Sequence, residues 1–351
     1  MHSSLALLTI FGARAYAWGA LGHETVAYIA TNLVKNDTKA WAQSILGDSS
    51  PGYLANIATW ADSYRYTDEG AFSSGFVQSL SATMNAITDL SSFHYIDAED
   101  DPPNSCNVDY ERDCSSEEGC IVSAIANYTQ RVQEPAELPA KELNYALRWI
   151  IHFMGDIVQP LHNEAIAIGG NTINVTFDDA HWNLHALWDT AIPNKIRNIT
   201  GNVSLADAQA WATDLTQDIE SGEYKACAQT WLQGDDIAEA KRSALAWARD
   251  TNLYVCSSVF HESIEAVSET DLGDSYFDQA AETVQLQIAK GGYRLANWLD
   301  QLALAAGQKN ATMYRRSAEV DLSGRSLLPA ARELSLAKLA RRDFGGCDHP
   351  H

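Results

Sequence analysis

The chain has 351 residues and 38.5 kDa, with 46 Asp and Glu against 24 Lys and Arg for a formal net charge of −22, and 9% aromatic residues that include ten Trp. With only 20% charged residues this aromatic load excludes a wholly disordered chain, and no apolar run reaches the roughly 18–20 residues of a membrane span, so no membrane partner is expected. So acidic a chain repels polyanions, and any nucleic-acid chemistry must draw on local cations.

Residues 1–17 read as a secretory signal peptide: an apolar stretch from Leu5 to Phe11 precedes Ala15-Tyr16-Ala17, a small-x-small cleavage pattern that would leave Trp18 as the mature N-terminus. Secretion to an extracellular location is therefore expected. Six sequons, at Asn36, Asn127, Asn174, Asn198, Asn202 and Asn310, fit export of a glycoprotein. Six cysteines in an exported chain favour disulfides over a thiolate metal site. Cys114 and Cys120 can close a small loop and Cys106 can reach a distant partner such as Cys256, one of fifteen possible pairings.

In chain order, Asp37 is placed to cap a helix carrying Trp41, Ala42, Ile45 and Leu46 that Gly47 ends, and a second helix carries Leu54, Ile57, Ala58 and Ala61. Leu143, Leu147, Ile150, Ile151 and Met154 keep helical spacing up to a stop at Pro160. Ile166 and Ile168 alternate before Gly169-Gly170-Asn171, and Ile173, Val175 and Phe177 alternate after it, which predicts a β-hairpin. Helices are predicted near 204–221, 237–258 and 275–304, with Trp211, Trp247 and Trp298 in the core.

The predicted fold class is mainly α: a single compact helical domain over 18–305 with a small β-hairpin, and a tail over 306–351 expected to be disordered. Residues 18–305 hold 15 Lys and Arg against 41 Asp and Glu, a net of −26, whereas 306–351 hold eight against five, a net of +3.

The chemistry concentrates in His and Asp. His152 precedes Asp156 by four residues and His185 precedes Asp189 by four, a spacing that places both side chains on one helix face where they can share an ion. His162 enters just past Pro160; His23, His94 in Phe93-His94-Tyr95-Ile96, and Asp62 in Trp60-Ala61-Asp62 complete the set. One histidine in an apolar helix is more often a core residue than a ligand. Two His-x-x-x-Asp pairs with a third His between them point to a multinuclear metal centre, and nitrogen and oxygen donors without thiolate suit a catalytic Zn²⁺ site. His181, His261, His349 and His351 are read as lying outside it.

These segments resemble the zinc-dependent, single-strand-specific nucleases of the S-one/P-one type, in the phospholipase C/nuclease superfamily. The resemblance rests on Trp18 to His23 as a mature start, Trp60-Ala61-Asp62 with Arg65, and His94-Tyr95-Ile96-Asp97. It continues through His152 to His162, Gly169 to Val175, His185 to Asp189 and Gln287 to Ala296, in order over nearly all of 18–300. It implies three zinc ions: one held by Asp62, His94 and His152, a second by Trp18 and His23 with Asp156 bridging the two, and a third by His162, His185 and Asp189. The Trp18 ligands would be its α-amino group and carbonyl oxygen, so signal cleavage would complete the site.

The resemblance further implies an endonuclease that cleaves single-stranded DNA and RNA at P–O3′ bonds to leave 5′-phosphates, acts on 3′-nucleotides, and works as a monomer. Arg65 would neutralise charge on the phosphoryl group. Tyr95 and Ile168 would flank an unstacked base, with Asp97 and Asn171 reading its edge. Two features depart from the family. Ala180 and Ala191 stand where some members carry tyrosines of a second nucleotide site, so that site is expected to be absent or differently built. The stretch 75–92, rich in Ser and Thr, is either an added surface loop or a short intron carried into translation; its peptides in the secreted protein would exclude the latter. A zinc-dependent phospholipase C-like phosphodiesterase and a non-catalytic secreted zinc-binding protein are the rival readings.

Overall fold

The computed structural model describes residues 18–64, 92–116, 118–135 and 138–321, with side chains as far as 308. The signal segment, Arg65, nearly all of the 75–92 stretch and residues 322–351 lie outside the described residues. Seven long helices carry the architecture: α1 (Ala20–Leu33), α2 (Asn36–Leu46), α3 (Ile121–Gln133), α4 (Ala140–Asp156), α5 (Leu205–Glu220), α6 (Ala240–Tyr254) and α7 (Ser275–Asp321). Between them lies one antiparallel pair, β1 (Asn174–Phe177) and β2 (Ala180–Asn183). The mainly helical class expected from the sequence is the one found. Among the described residues no helix is long and apolar enough to cross a membrane.

The core is built around α4, which α1, α2, α3 and α7 all touch. Its apolar face buries Leu147, Trp149, Ile150, Ile151, Phe153 and Met154 completely or nearly so, and the same stretch buries His152 and Asp156. Trp211, Trp247 and Trp298 are core residues, as their apolar surroundings predicted. Two glycines of α7 let it close on the centre: a side chain at Gly291 would meet Val158 and Val26, and one at Gly292 would overlap Ile29. Gln287 donates from Nε2 to Val158 O and to Thr251 Oγ1, both at 3.0 Å. The Gln287–Ala296 motif thus packs α1, α4 and α6 together around the site.

Asp250 on α6 accepts from Lys290 at 3.0 Å and from Arg294 at 2.8 Å, both on α7. Both cations hold the Asp250 carboxyl below the usual range, against its burial. Two disulfides close: Cys114 to Cys120, and Cys106 to Cys256 across 150 residues. Replacing Cys106 and Cys256 together by Ala should lower stability by about 2–5 kcal/mol, read as a fall in the denaturant midpoint with metal content unchanged.

Four local expectations are corrected. Lys35 occupies the N-cap of α2 and Asp37 sits in the first turn, where it still complements the positive helix end; Gly47 ends the helix in the left-handed conformation, φ 69°. The helix expected through 54–61 breaks into a 3₁₀ turn, Ala55–Ile57, and a short helix, Trp60–Tyr64. The last helix continues past residue 304 to Asp321.

The hairpin is displaced. Residues 166–171 form turns, and the pairing runs from Asn174 opposite Asn183 to Phe177 opposite Ala180. Its two-residue loop is Asp178-Asp179, both with positive φ as primed turns need. Asp271 holds that conformation by accepting the N–H of Asp178 at 3.0 Å and of Asp179 at 2.9 Å. A turn without glycine, stabilised from a distant residue, leaves no local signal. The Gly-Gly pair serves a different bend, with Ala167, Ile168, Gly169 and Gly170 all left-handed.

Candidate metal centre

Three buried groups assemble from residues distant in sequence: His23 with His152 and Asp156, Asp62 with His94 and His152, and His162 with His185 and Asp189. Within each, the donor atoms lie within 4.8 Å of one another. The i and i+4 spacing in α4 brings His152 Nε2 to 3.3 Å from Asp156 Oδ2. His94, on the 3₁₀ turn Ser92–His94, points Nδ1 at the same oxygen, 2.8 Å away. His23 comes from α1 and faces Asp156 Oδ1 at 3.1 Å. One carboxylate therefore addresses two groups, one oxygen toward each side. Asp62, from Trp60–Tyr64, lies 3.6 Å from His152 Nε2.

Backbone carbonyls orient the imidazoles. His152 Nδ1–H donates to Ala58 O at 2.8 Å, His162 Nδ1–H to His94 O at 2.7 Å, and His185 Nδ1–H to Gly169 O at 2.6 Å. Donation through Nδ1 leaves Nε2 as an acceptor, the arrangement of a metal-ligating histidine. The consequence is that His162 Nε2 and His185 Nε2, both acceptors, face each other at 3.2 Å; His152 Nε2 also lies 3.1 Å from His94 Nδ1, whose role depends on the tautomer. Opposed lone pairs at such distances, buried and beside carboxylates, are stable only around a positive charge. The residues present therefore fit divalent cations.

The protonation preferences agree. Burial pushes His162 down to about 3, with the neighbouring His185 acting in the same direction, so it offers a neutral nitrogen. For His152, burial works against charge, but Asp156 and Asp62 outweigh it and push the imidazole up to about 9. Asp156 is held well below the usual carboxylate range by His152, His23 and His94 despite full burial. In the absence of an ion this corner holds a proton; a divalent ion would take its place, so metal binding here would weaken as pH falls.

The third group depends on an irregular helix. Leu184–Ala186 opens it with Asn183 as N-cap, and Leu187–Ala191 continues as a π-helix, a widened turn found mostly at functional sites. His185 Nε2 lies 3.3 Å from Asp189 Oδ2. Asp189 O accepts the Gly19 N–H at 2.7 Å, which ties the segment after the fully buried Trp18 to this group. Any side chain at Gly19 would strike Thr190, which accounts for the Trp-Gly pair.

The proposed base-binding residues border the same framework. Ile96 N–H donates to His162 O at 2.9 Å, so Tyr95 and Asp97 flank a strut to the loop that carries His162. Ile168 is 71% exposed with φ 59°, an uncommon conformation for a β-branched side chain, one residue before the carbonyl that orients His185. Asn171 Nδ2 donates to Ile168 O at 2.8 Å. Asp97 presents its side chain to solvent, yet the surrounding protein and then Asp113 and Glu99 push it up to about 6; solvent screening moderates that shift. His181 and His261 are exposed and outside the groups.

Several supporting residues carried no chemical pattern. Gln159 is fully buried and donates from Nε2 to Asp189 Oδ1 at 2.6 Å. Gly155 sits under the His23 ring, where a methyl group would overlap Nδ1. Only its place inside His152–Asp156 could have marked it.

Comparison with known proteins gives one family. The sequence model of the S1/P1 nucleases matches residues 18–304. The chain is 50% identical over 285 residues to Nuclease P1 of Penicillium citrinum, covering 81% of this chain and 97% of that one, with the same values for Nuclease PA3 of a Penicillium species. It is 44% identical over 288 residues to Nuclease S1 of Aspergillus oryzae, covering 82% and 92%.

Proposed function

The chain belongs to the S1/P1 nuclease family, and from that premise we propose that it is a secreted, zinc-dependent endonuclease with three zinc ions. Its substrates are single-stranded DNA and RNA, cut to 5′-phosphate products, and 3′-nucleotides. The observation that carries this reading is the pair of imidazole nitrogens, on His162 and His185, facing each other at 3.2 Å beside Asp189.

Zinc bound there would supply Lewis acidity toward water and the phosphoryl oxygens, and about six positive charges against the acidic chain. Asp62, His94 and His152 form one ligand set; Trp18 and His23 form another, with Asp156 shared because each of its oxygens faces a different set. His162, His185 and Asp189 form the third. Arg65, which follows Tyr64 in the sequence and lies outside the described residues, would neutralise charge on the phosphoryl group. Tyr95 and Ile168 hold the unstacked base while Asp97 and Asn171 accept and donate at its edge, which restricts cleavage to strands whose bases are free. Ligation by the Trp18 amino group requires removal of residues 1–17.

The test is release of acid-soluble nucleotides from heat-denatured DNA and from RNA by protein beginning at Trp18. Chelator-sensitive release on both substrates is expected. No release by zinc-loaded protein would favour the phospholipase-like or non-catalytic reading. Replacing Gly155 by Ala pushes His23 out of place; metal analysis should then show about one zinc fewer per chain and activity lower by roughly 10²-fold.

A further inference from the structure

We propose that Gln159 is the positioning residue of the third group: its side-chain amide fixes which oxygen of Asp189 faces His185, and so sets how tightly that group holds its ion. This role rests on the zinc reading above, and Gln159 itself would touch neither ion nor substrate.

Gln159 is fully buried just after α4, at the N-cap of the 3₁₀ turn Pro160–Asn163. Its backbone N–H donates to Asp156 O at 2.9 Å, and its carbonyl accepts the N–H of His162 and Nδ2 of Asn163, both at 3.0 Å. The backbone is thus tied to Asp156 on one side and to His162 on the other. The side chain is held at both of its polar atoms: Oε1 accepts the Leu161 N–H at 2.5 Å, and Nε2 donates to Asp189 Oδ1 at 2.6 Å. A flipped amide would set Oε1 against the carboxylate and Nε2 against the Leu161 N–H. The Leu161 N–H therefore fixes which end of the amide Asp189 meets.

Asp189 needs such a partner. The torsion that turns a carboxylate about its Cβ–Cγ bond is broad and two-fold, so nothing in an aspartate itself selects the oxygen it presents. Asp189 stands on the widened turn Leu187–Ala191, and the Gly19 N–H on Asp189 O, at 2.7 Å, anchors its main chain but not its carboxylate. With Oδ1 held by Gln159, Oδ2 is left 3.3 Å from His185 Nε2. A neutral donor suits the place. A lysine or arginine there would offset the negative charge that an ion needs, and a glutamate would set two buried anions side by side. The amide orients the carboxylate and leaves its full charge to the group.

The test uses the zinc-loaded chain beginning at Trp18. Bound zinc is counted per chain as a chelator is raised stepwise, for the parent, Gln159→Met and Gln159→Glu. Gln159→Met keeps the length and loses both hydrogen bonds; Gln159→Glu keeps the acceptor for the Leu161 N–H and loses only the donor. One ion should leave each variant at chelator strengths about 10–100-fold lower than in the parent, with the other two retained. Excess zinc should then restore most of the lost nuclease activity. A role confined to capping the turn requires Gln159→Glu to match the parent, and that result would overturn the proposal, as would parental retention of all three ions by Gln159→Met. If metal-free denaturant curves show that Gln159→Met does not fold, Gln159→Glu decides alone. A parent that binds fewer than three ions would overturn the zinc reading and this role with it, which separates the two failures.

Discussion

Replacing Asp156 by Ala is expected to lower nuclease activity at least about 10³-fold and to remove the metal ions that the two groups sharing it would hold. The magnitude follows from position. Asp156 is fully buried, faces His23 through Oδ1, and faces His94 and His152 through Oδ2. No other carboxylate among the described residues reaches both of these groups. Its removal leaves imidazole lone pairs turned toward one another with no anion to offset an ion's charge. The pairs that share Asp156 should release their ions, while the third group keeps its own carboxylate, Asp189. Asp156→Asn keeps the shape and loses the charge; it should behave like Ala in metal content, which separates an electrostatic loss from a packing one. Metal analysis alongside nucleotide release checks this, and activity within tenfold of the parent would refute a bridging role.

A second large effect concerns pH and stability. Glu164 is buried near the carboxyl group of Asp100; burial first, with Asp100 adding to it, pushes Glu164 up to about 8. Asn252 Nδ2 and the Asn107 backbone N–H donate to Asp100 Oδ2 at 3.1 and 2.8 Å, and Ile166 N–H donates to Glu164 Oε1 at 2.8 Å. The folded chain therefore keeps a proton that an unfolded glutamate releases near its ordinary value of 4.5. Between these values the native state binds more protons than the unfolded one, so this pair's contribution is fully present below about 4.5 and is lost as pH rises through about 8. Glu164→Gln keeps a donor for Asp100 without a titrating group. Relative to the parent, the variant should gain about 2–4 kcal/mol between pH 5 and pH 8.5. Comparing the two proteins at each pH cancels most of the pH dependence that comes from metal binding. Parallel denaturant curves at both pH values would show that the pair does not hold the proton.

The pair also matters to the site's construction. Ala165 N–H donates to Ala98 O and Ile96 N–H to His162 O, so the loop carrying Asp97 and the loop carrying His162 are laced together. Asn252 Nδ2 donates to Asn163 O at 2.9 Å, adding α6 to the same lacing. Nothing in the spacing of Asp100, Glu164 and Asn252 along the chain announces this arrangement, because each is polar and unremarkable in its own segment.

The members of the three buried His and Asp groups, by contrast, were legible from the chain alone. His152 and Asp156, and His185 and Asp189, occupy one face of their helices at the i and i+4 spacing, and helical geometry alone brings such pairs together. The long amphipathic helices were legible for the same reason: a repeat near 3.6 residues records which face is buried. The Cys114–Cys120 disulfide was legible from the short loop it closes, whereas Cys256 was only one distant partner open to Cys106 among fifteen pairings, and the structure decided it. Failures fell where the deciding partner was remote. The Asp178-Asp179 turn is held by Asp271, and the break between Ala55–Ile57 and Trp60–Tyr64 leaves Ala58 O to orient His152. A helix continued through that stretch would have kept the carbonyl for itself.

What the sequence determined by itself is the donor chemistry and the helical frame, since both are set by interactions within a few residues. Only the tertiary structure decided which donors meet, which nitrogen of each imidazole faces inward, and where the hairpin closes. Those outcomes depend on carbonyls and carboxylates contributed from dozens of residues away, and close packing of α1, α4 and α7 around Gly291 and Gly292 is what brings them within reach.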